Sequence, residues 1–412
     1  MNRRIDDKDP VNRPLPDPGP LATRWELDPG IVFLNHGSFG AVPTSVRVEQ
    51  NRIRDLLESE PVRFFERRYQ VLLDRARAIL AEIVGASPEN LVFVANATTG
   101  VNTVLRSLDL RAGDELLTTN HEYNACRNAL EAVASSTGAS VIVADVPYPV
   151  RSEDEVLDAV LDRLTPRTRL LLVDHVTSQT GLVLPVASLV REAQLSGVEV
   201  LVDGAHAPGM VELDLEKLGA AYYTGNCHKW LCAPKGAAFL CVREDLRRSV
   251  RPLVISHGAN ASAARRSRFH LEHDWTGTSD PSAWLSVPAA ITELDAMVEG
   301  GWDEVRRRNH TLALEARDRL CEVLGVEPAC PDSMIGSMAT VVLPDSEGGE
   351  KRDAFSRDAL QDQLYREWAI EVPVIPWPSP PARLLRISAQ LYNSDGQYAY
   401  LAEALAALVL SK

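Results

Sequence analysis

Lys229 stands in the run YYTGNCHKW between His228 and Trp230, directly after an apolar stretch. A lysine that loses solvation among such neighbours sheds its proton more easily and becomes an amine able to form an imine with a carbonyl group. Of the six lysines, Lys8 and Lys412 lie in the termini, Lys351 in the charged run EGGEKRD and Lys217 on the polar side of LDLEKLG. Only Lys235 competes for the role. A second run, VEVLVDGAHAPG, places Asp203 at the end of a buried strand with His206 three residues on. A carboxylate there is costly unless it meets a cation. The third run, NATTGVN, sets Thr98, Thr99 and Gly100 at the start of a helix, where free N–H groups and the helix dipole suit a phosphate or carboxylate. Each run also has a plainer reading: a Thr helix cap, an Asp capping the next helix, and a surface lysine whose stem lies on Trp230. Together, an anion cradle, a buried acid and a strand-end amine fit pyridoxal 5'-phosphate. Its phosphate would sit on the helix, its pyridine nitrogen on Asp203 and its aldehyde on Lys229.

Those side chains need strands that end side by side. The runs LVFVA (91–95), ELLTT (115–119), SVIVADV (140–146), RLLLVDHV (169–176), VEVLVDG (198–204), AAYYT (220–224) and AAFLCV (237–242) alternate with helical segments. Val-, Leu- and Ile-rich strands in that order predict an α/β fold with a mostly parallel seven-stranded sheet covered on both faces. Residues 45–85 carry a helical period, broken at Pro61. The stretch 286–325 reads as helix interrupted at Gly300 and Gly301, and strands near 338–344 and 383–388 with helices near 353–368 and 395–410 suggest a smaller α+β unit. The expected organisation is a flexible, Pro-rich start over 1–24, a large cofactor-binding domain over 25–285 with an N-terminal segment reaching the site, and a small C-terminal domain over 286–412. Five of the 26 prolines fall in the first 20 residues.

Composition narrows the partners. Over 412 residues, 57 acidic against 43 basic side chains give a formal charge of −14, which argues against nucleic acid or an anionic membrane and for a small molecule. No apolar run approaches the ~18 residues of a membrane span, and the start is charged where a signal peptide would be apolar, so a cytoplasmic protein is expected. The six cysteines form no C-x-x-C pair, which points to reduced thiols and no metal site.

In LNHGSFGAVP, NATTGVN, VDGAHAPG, TGNCHKWLCAPKG and GTSD the chain resembles the fold-type I pyridoxal-phosphate enzymes of the class V aminotransferase superfamily, and most of all their isopenicillin N epimerase-like branch. The likeness runs from about residue 34 to 388. It implies that Lys229 carries the cofactor, that Asp203 meets the pyridine nitrogen, and that His206 meets the ring hydroxyl. Thr98 and Thr99 would hold the phosphate with His228 and with Asn226, which stands where relatives often have Ser. Tyr123, in NHEYNAC, would stack on the ring where desulfurases place a His, and Ser178, in HVTSQTG, falls where relatives use Asn. Thr278 would reach the phosphate of a second subunit, which implies a homodimer with shared sites. Arg386 matches the arginine that takes the substrate carboxylate, its plainer reading being a surface arginine on an edge strand. Asn35 and His36 would enter from the N-terminal segment, although a lone His is more often structural.

The step taken after removal of the Cα proton decides the product. Lys229 is the natural base, and Tyr123, His36 and Cys227 are candidate acids for the opposite face. A persulfide-forming desulfurase needs a loop cysteine ahead of the carboxylate arginine, and none lies between Cys330 and Arg386. The resemblance favours epimerisation of a cysteine-containing or peptide-like substrate, or C–S cleavage of a cysteine conjugate by β-elimination, in specialised metabolism such as antibiotic biosynthesis. A class V aminotransferase stays open. So does a non-catalytic fold or a nucleotide-binding protein, although no G-x-G-x-x-G follows the first strand.

Overall fold

The apolar runs become strands because all but the edge strand Ser140–Ala144 bury both of their faces. In the computed structural model, which describes residues 13–263, 266–346 and 357–410, β1 (Val32–Phe33) lies in the N-terminal segment. β2 (Leu91–Val94), β3 (Glu115–Thr119), β4 (Ser140–Ala144), β5 (Thr168–Asp174), β6 (Glu199–Gly204), β7 (Tyr222–Asn226) and β8 (Ala238–Val242) then form one sheet. Its order is β2-β8-β7-β6-β5-β3-β4, all parallel except β8, which runs against both β2 and β7. Side chains alternate across it. Leu116, Leu170, Leu172 and Leu201 pack with the helices Ala97–Leu105 and Asn124–Thr137, while Leu117, Leu171, Val173 and Val202 pack with Tyr69–Val84 and Val186–Leu195. The fold is therefore the α/β, fold-type I architecture. β7 starts and ends two residues later than its apolar run, because Gly225 and Asn226 still pair with Phe239 and Ala238 of β8.

The C-terminal part carries β9 (Met338–Leu343), β10 (Ile370–Glu371), β11 (Val374–Pro376) and β12 (Arg383–Ser388). β11, β12 and β9 form an antiparallel sheet with β12 in the middle. The helix Gly301–Leu324 packs on β9, β12 and the helix Asp395–Leu405. It follows Val287–Ala296 after a break at Gly300 and Gly301, whose φ values of 99° and 61° lie in the left-handed region. Among the described residues, no helix is long and apolar enough to cross a membrane.

The Pro-rich start differs from the flexible tail read in the sequence, for residues 13–24 are docked on the C-terminal part. Gly19 N–H donates to the Tyr392 carbonyl at 2.8 Å, Ser394 Oγ donates to the Asp17 carbonyl at 2.6 Å, and the Arg13 guanidinium lies 4.1 Å over the Trp368 ring. Proline offers no N–H and little conformational entropy to lose, so a few such contacts suffice to fix the segment. Residues 1–12 and Lys351 lie outside the described residues. Farther on, β1 pairs in parallel with β10, which ties Asn35 and His36 to the C-terminal part.

Candidate active site

Lys229 follows β7 on a tight turn. Cys232 N–H donates to the Lys229 carbonyl at 3.0 Å, and Cys232 takes a φ of 56°, a strained left-handed geometry for a residue with a Cβ. The N-terminal segment braces the same turn: a Cβ on Gly40 would stand 2.1 Å from the His228 carbonyl oxygen, so only glycine allows the approach. Lys229 Nζ lies 2.9 Å from His206 Nε2. Burial, and then the nearby Arg386 cation, push the lysine down to about 7, with Asp203 and Asp174 opposing. Its rival Lys235 instead donates to the Gly40 carbonyl at 2.8 Å.

β5 and β6 bring Asp174 and Asp203 to the same register, at the carboxyl ends where ligands of such sheets sit. Asp203 accepts from Ala205 N–H at 2.9 Å and from Cys126 Sγ at 3.1 Å. Burial raises it, while those bonds and Lys229 pull it back. Asp174 is raised by burial and by the charges of Glu122 and Asp203. His206, held neutral by burial and by Lys229, leaves Nδ1 buried without a partner. With Lys229 donating to Nε2, the ring proton sits on that Nδ1, a donor that a ring hydroxyl could accept.

At the phosphate end, Asn96 rather than a threonine caps the helix Ala97–Leu105, accepting from Thr99 N–H at 2.8 Å and Thr99 Oγ1 at 3.0 Å. Asn226 Oδ1 accepts from Ala97 N–H at 2.9 Å and pins the helix to β7. A Cβ on Gly100 would meet Thr224 Oγ1 at 2.2 Å, so glycine is what lets this helix start lie against the sheet. His228 Nδ1 lies 2.9 Å from the Ala237 carbonyl, and burial lowers the ring to about 4. Thr278 is exposed and lies on a surface loop of its own chain.

Arg386 is the sharpest departure from its plainer reading. It sits on the central strand β12 and is 3% exposed. Its guanidinium donates to the Ser178 carbonyl, to Ser38 Oγ at 2.9 Å and to Asn35 Oδ1 at 3.4 Å, while Nε has no partner. No carboxylate pairs with it among the described residues, and burial lowers it to about 10. A buried cation so prepared awaits an anion. Tyr123, 42% exposed at the head of the helix Asn124–Thr137, senses both the Asp203 charge and the Arg386 charge.

His36 is placed differently from a catalytic acid. It is fully buried, with Nδ1 3.0 Å from Tyr392 Oη and Nε2 3.1 Å from the Lys229 carbonyl, and burial lowers it to about 3. One nitrogen is spent on the lysine turn and the other on Tyr392. Asn35 likewise serves Arg386, accepting from Ser38 Oγ at 2.6 Å and donating to Glu371 at 3.1 Å. Cys227 is buried and pushed above the range of a useful acid. Sequence reasoning missed Ser38, Asp174 and Gln179, whose amide oxygen is buried without a partner beside Ser178. It also missed Glu122.

The amine, the acids, the orphaned His206 nitrogen, the helix start and the unpaired guanidinium fit pyridoxal phosphate and a substrate carboxylate. Residues 61–350 match the family model described as aminotransferase class-V. An isopenicillin N epimerase of Amycolatopsis lactamdurans is 38% identical over 93% of this chain and 98% of its own. A probable chloroplastic L-cysteine desulfhydrase of Arabidopsis thaliana is 32% identical over 93% and 84%. Among solved structures, the cystine C–S lyase C-DES superposes with a TM-score of 0.76 at 22% identity, over 91% of this chain and 97% of that one.

Proposed function

The chain belongs to the aminotransferase class-V family, in its isopenicillin N epimerase-like branch, and from that premise we propose that it epimerises a cysteine-containing or peptide-like amino acid bearing a free α-carboxylate. Pyridoxal phosphate, the cofactor of the family, draws electrons from the substrate Cα and acidifies its C–H bond. Lys229, Asp203, His206, Thr98 and Thr99 would hold it. The observation that carries the reading is one buried amine, Lys229 Nζ, brought down to about 7 and lying 2.9 Å from His206, in a site that also holds a buried arginine without an acid. Arg386 takes the carboxylate and so sets which Cα substituent faces the lysine. Lys229 Nζ takes the proton, because near pH 7 much of it is unprotonated. The Tyr123 hydroxyl returns a proton from the other side, and because burial, then Cys126 and Asp203, raise it above an ordinary phenol it carries one at any physiological pH. The homodimer belongs to this reading, since a residue that reaches a second subunit must be exposed as Thr278 is; a single-chain mass by light scattering would remove Thr278 from the site.

A second reading, β-elimination with release of thiol, pyruvate and ammonia, is favoured by the desulfhydrase relative. Transfer of sulfur to an enzyme thiol is disfavoured. Cys126, Cys227, Cys232, Cys321 and Cys330 are buried, and burial pushes each thiol up, Cys321 and Cys330 to about 11.

Tyr123→Phe separates the two. Removing a positioned acid costs about 10²- to 10⁴-fold in its proton-transfer step. Epimerisation should fall by that factor while exchange of the Cα proton for deuterium persists with retention. Elimination needs no acid on that side and should change little. Measured with cysteine conjugates and cysteine-containing peptides, pyruvate formation without inversion in the wild type would sink the epimerase reading.

A further inference from the structure

Glu122 closes the turn between β3 and the helix Asn124–Thr137 and is 5% exposed. One of its oxygens accepts from the Thr118 hydroxyl at 3.1 Å and the other from the backbone N–H of Tyr123 at 3.1 Å. A Glu122 oxygen, an Asp203 oxygen and Cys126 Sγ all lie within 4.8 Å of one another. Arg127, the cation nearest in the chain, is committed to Glu131 at 2.9 Å, and no ion pair reaches Glu122 among the described residues. A second acid thus lies within 4.8 Å of the one that meets the cofactor ring, with no cation paired to it among the described residues.

We propose that Glu122 is a positioning residue for the cofactor, bracing Asp203 on one side and fixing the Tyr123 turn on the other, and that it does so as the uncharged acid. This rests on the pyridoxal phosphate reading of the site. Two carboxyls so close cannot both ionise in a buried place. Burial and then the Asp203 charge push Glu122 up to about 8, against smaller pulls from Thr118, the Tyr123 N–H and Arg127. Asp174 adds to the acidic crowd, the Cys126 thiol stays protonated, and Lys229 favours charge on Asp203 and Asp174. The one negative charge therefore belongs to Asp203, where the pyridine nitrogen needs it, and the proton belongs to Glu122 Oε2, whose O–H then donates to the Thr118 hydroxyl 3.1 Å away while Oε1 keeps the Tyr123 N–H. As pH rises past about 8 Glu122 ionises, and a second negative charge arrives beside Asp203.

The test compares the holoenzyme with Glu122→Gln and Glu122→Ala. In the infrared difference between wild type and Glu122→Gln, the C=O stretch of a protonated carboxylic acid should appear below neutrality and fade as the pH passes about 8. Cofactor affinity, titrated by the visible band, should stay within about threefold for Glu122→Gln, whose amide oxygen can still accept a hydrogen bond. It should weaken about tenfold for Glu122→Ala, which leaves the Thr118 hydroxyl and the Tyr123 N–H without a partner. Absence of the acid band, or an alanine variant that binds the cofactor as tightly as wild type, would overturn the proposal. If the alanine variant fails to fold, the infrared comparison with the near-isosteric glutamine decides alone. A wild-type chain that stays colourless with added cofactor overturns this inference and the functional reading together, whereas a coloured wild type without the acid band overturns the inference only.

Discussion

Lys229→Ala is expected to lower turnover by about 10²- to 10⁴-fold or more, the loss that removing a positioned general base brings, and to abolish fixation of the cofactor to the chain by borohydride. The variant should still bind pyridoxal phosphate, because Asp203, His206 and the helix start are untouched, so colour and covalent attachment come apart. In wild type, the pH dependence has a definite sign. Burial and Arg386 bring the amine down to about 7 from an ordinary 10.5, so Nζ is protonated and unreactive below that value and free above it. Attachment of added cofactor to cofactor-free enzyme should therefore speed up as the pH rises to about 7 and then level off. A rate that keeps climbing toward 10.5 would show that Lys229 is an ordinary exposed lysine, and turnover that survives the alanine substitution would move the chemistry elsewhere, with Lys235 the next amine to examine.

How much of the site is legible in the sequence depends on how far apart its partners lie. Strands such as β2 and β6 are readable because a strand buried on both faces needs an apolar run, and the polar residues that follow the run mark the carboxyl edge. Lys229, Asp203 and Thr98 all announce themselves in this way. Residues brought in by long-range contacts do not. Ser38 reaches Arg386 across 348 positions, and the Ser178 carbonyl reaches it across 208; nothing in FLNHGSFG says that its serine will orient a guanidinium. His36 misleads for the opposite reason. Its residue type suggests proton transfer, but only the fold reveals that both ring nitrogens are already occupied. The prolines of the first 20 residues signal an extended chain, yet extension does not mean freedom when Tyr392, Ser394 and Trp368 offer places to dock. Glu122 escapes notice because a glutamate is ordinarily a surface residue, and its meaning lies in Asp203, which is distant in sequence.

Arg386 yields the second large effect, because here function should fall far while stability barely moves. Taking a buried charge from its partner costs about 2–5 kcal/mol, so Arg386→Met should lower kcat/KM by roughly 30- to 5,000-fold at about 1.4 kcal/mol per decade. The loss should fall more on KM than on kcat if the carboxylate is held equally before and during the reaction. Arg386→Lys keeps the charge but not the fork that meets Ser178 and Ser38 together, and should fall between the two. In the substrate-free enzyme the balance differs. The guanidinium is desolvated with no carboxylate beside it, a burden of several kcal/mol for a buried ion. Methionine leaves the Ser178 carbonyl and the Ser38 hydroxyl short of a donor, at about 1–3 kcal/mol for an unsatisfied group. The two terms are of similar size, so the methionine variant should melt within a few degrees of wild type, as expected where a site stores unfavourable charge for its ligand. A substrate whose carboxylate is replaced by a neutral amide supplies the control: wild type should discriminate against it by about the factor lost in Arg386→Met, and the variant should not discriminate. If kcat/KM for the acid is unchanged in Arg386→Met, the carboxylate binds elsewhere and the assigned orientation of Cα toward Lys229 falls with it.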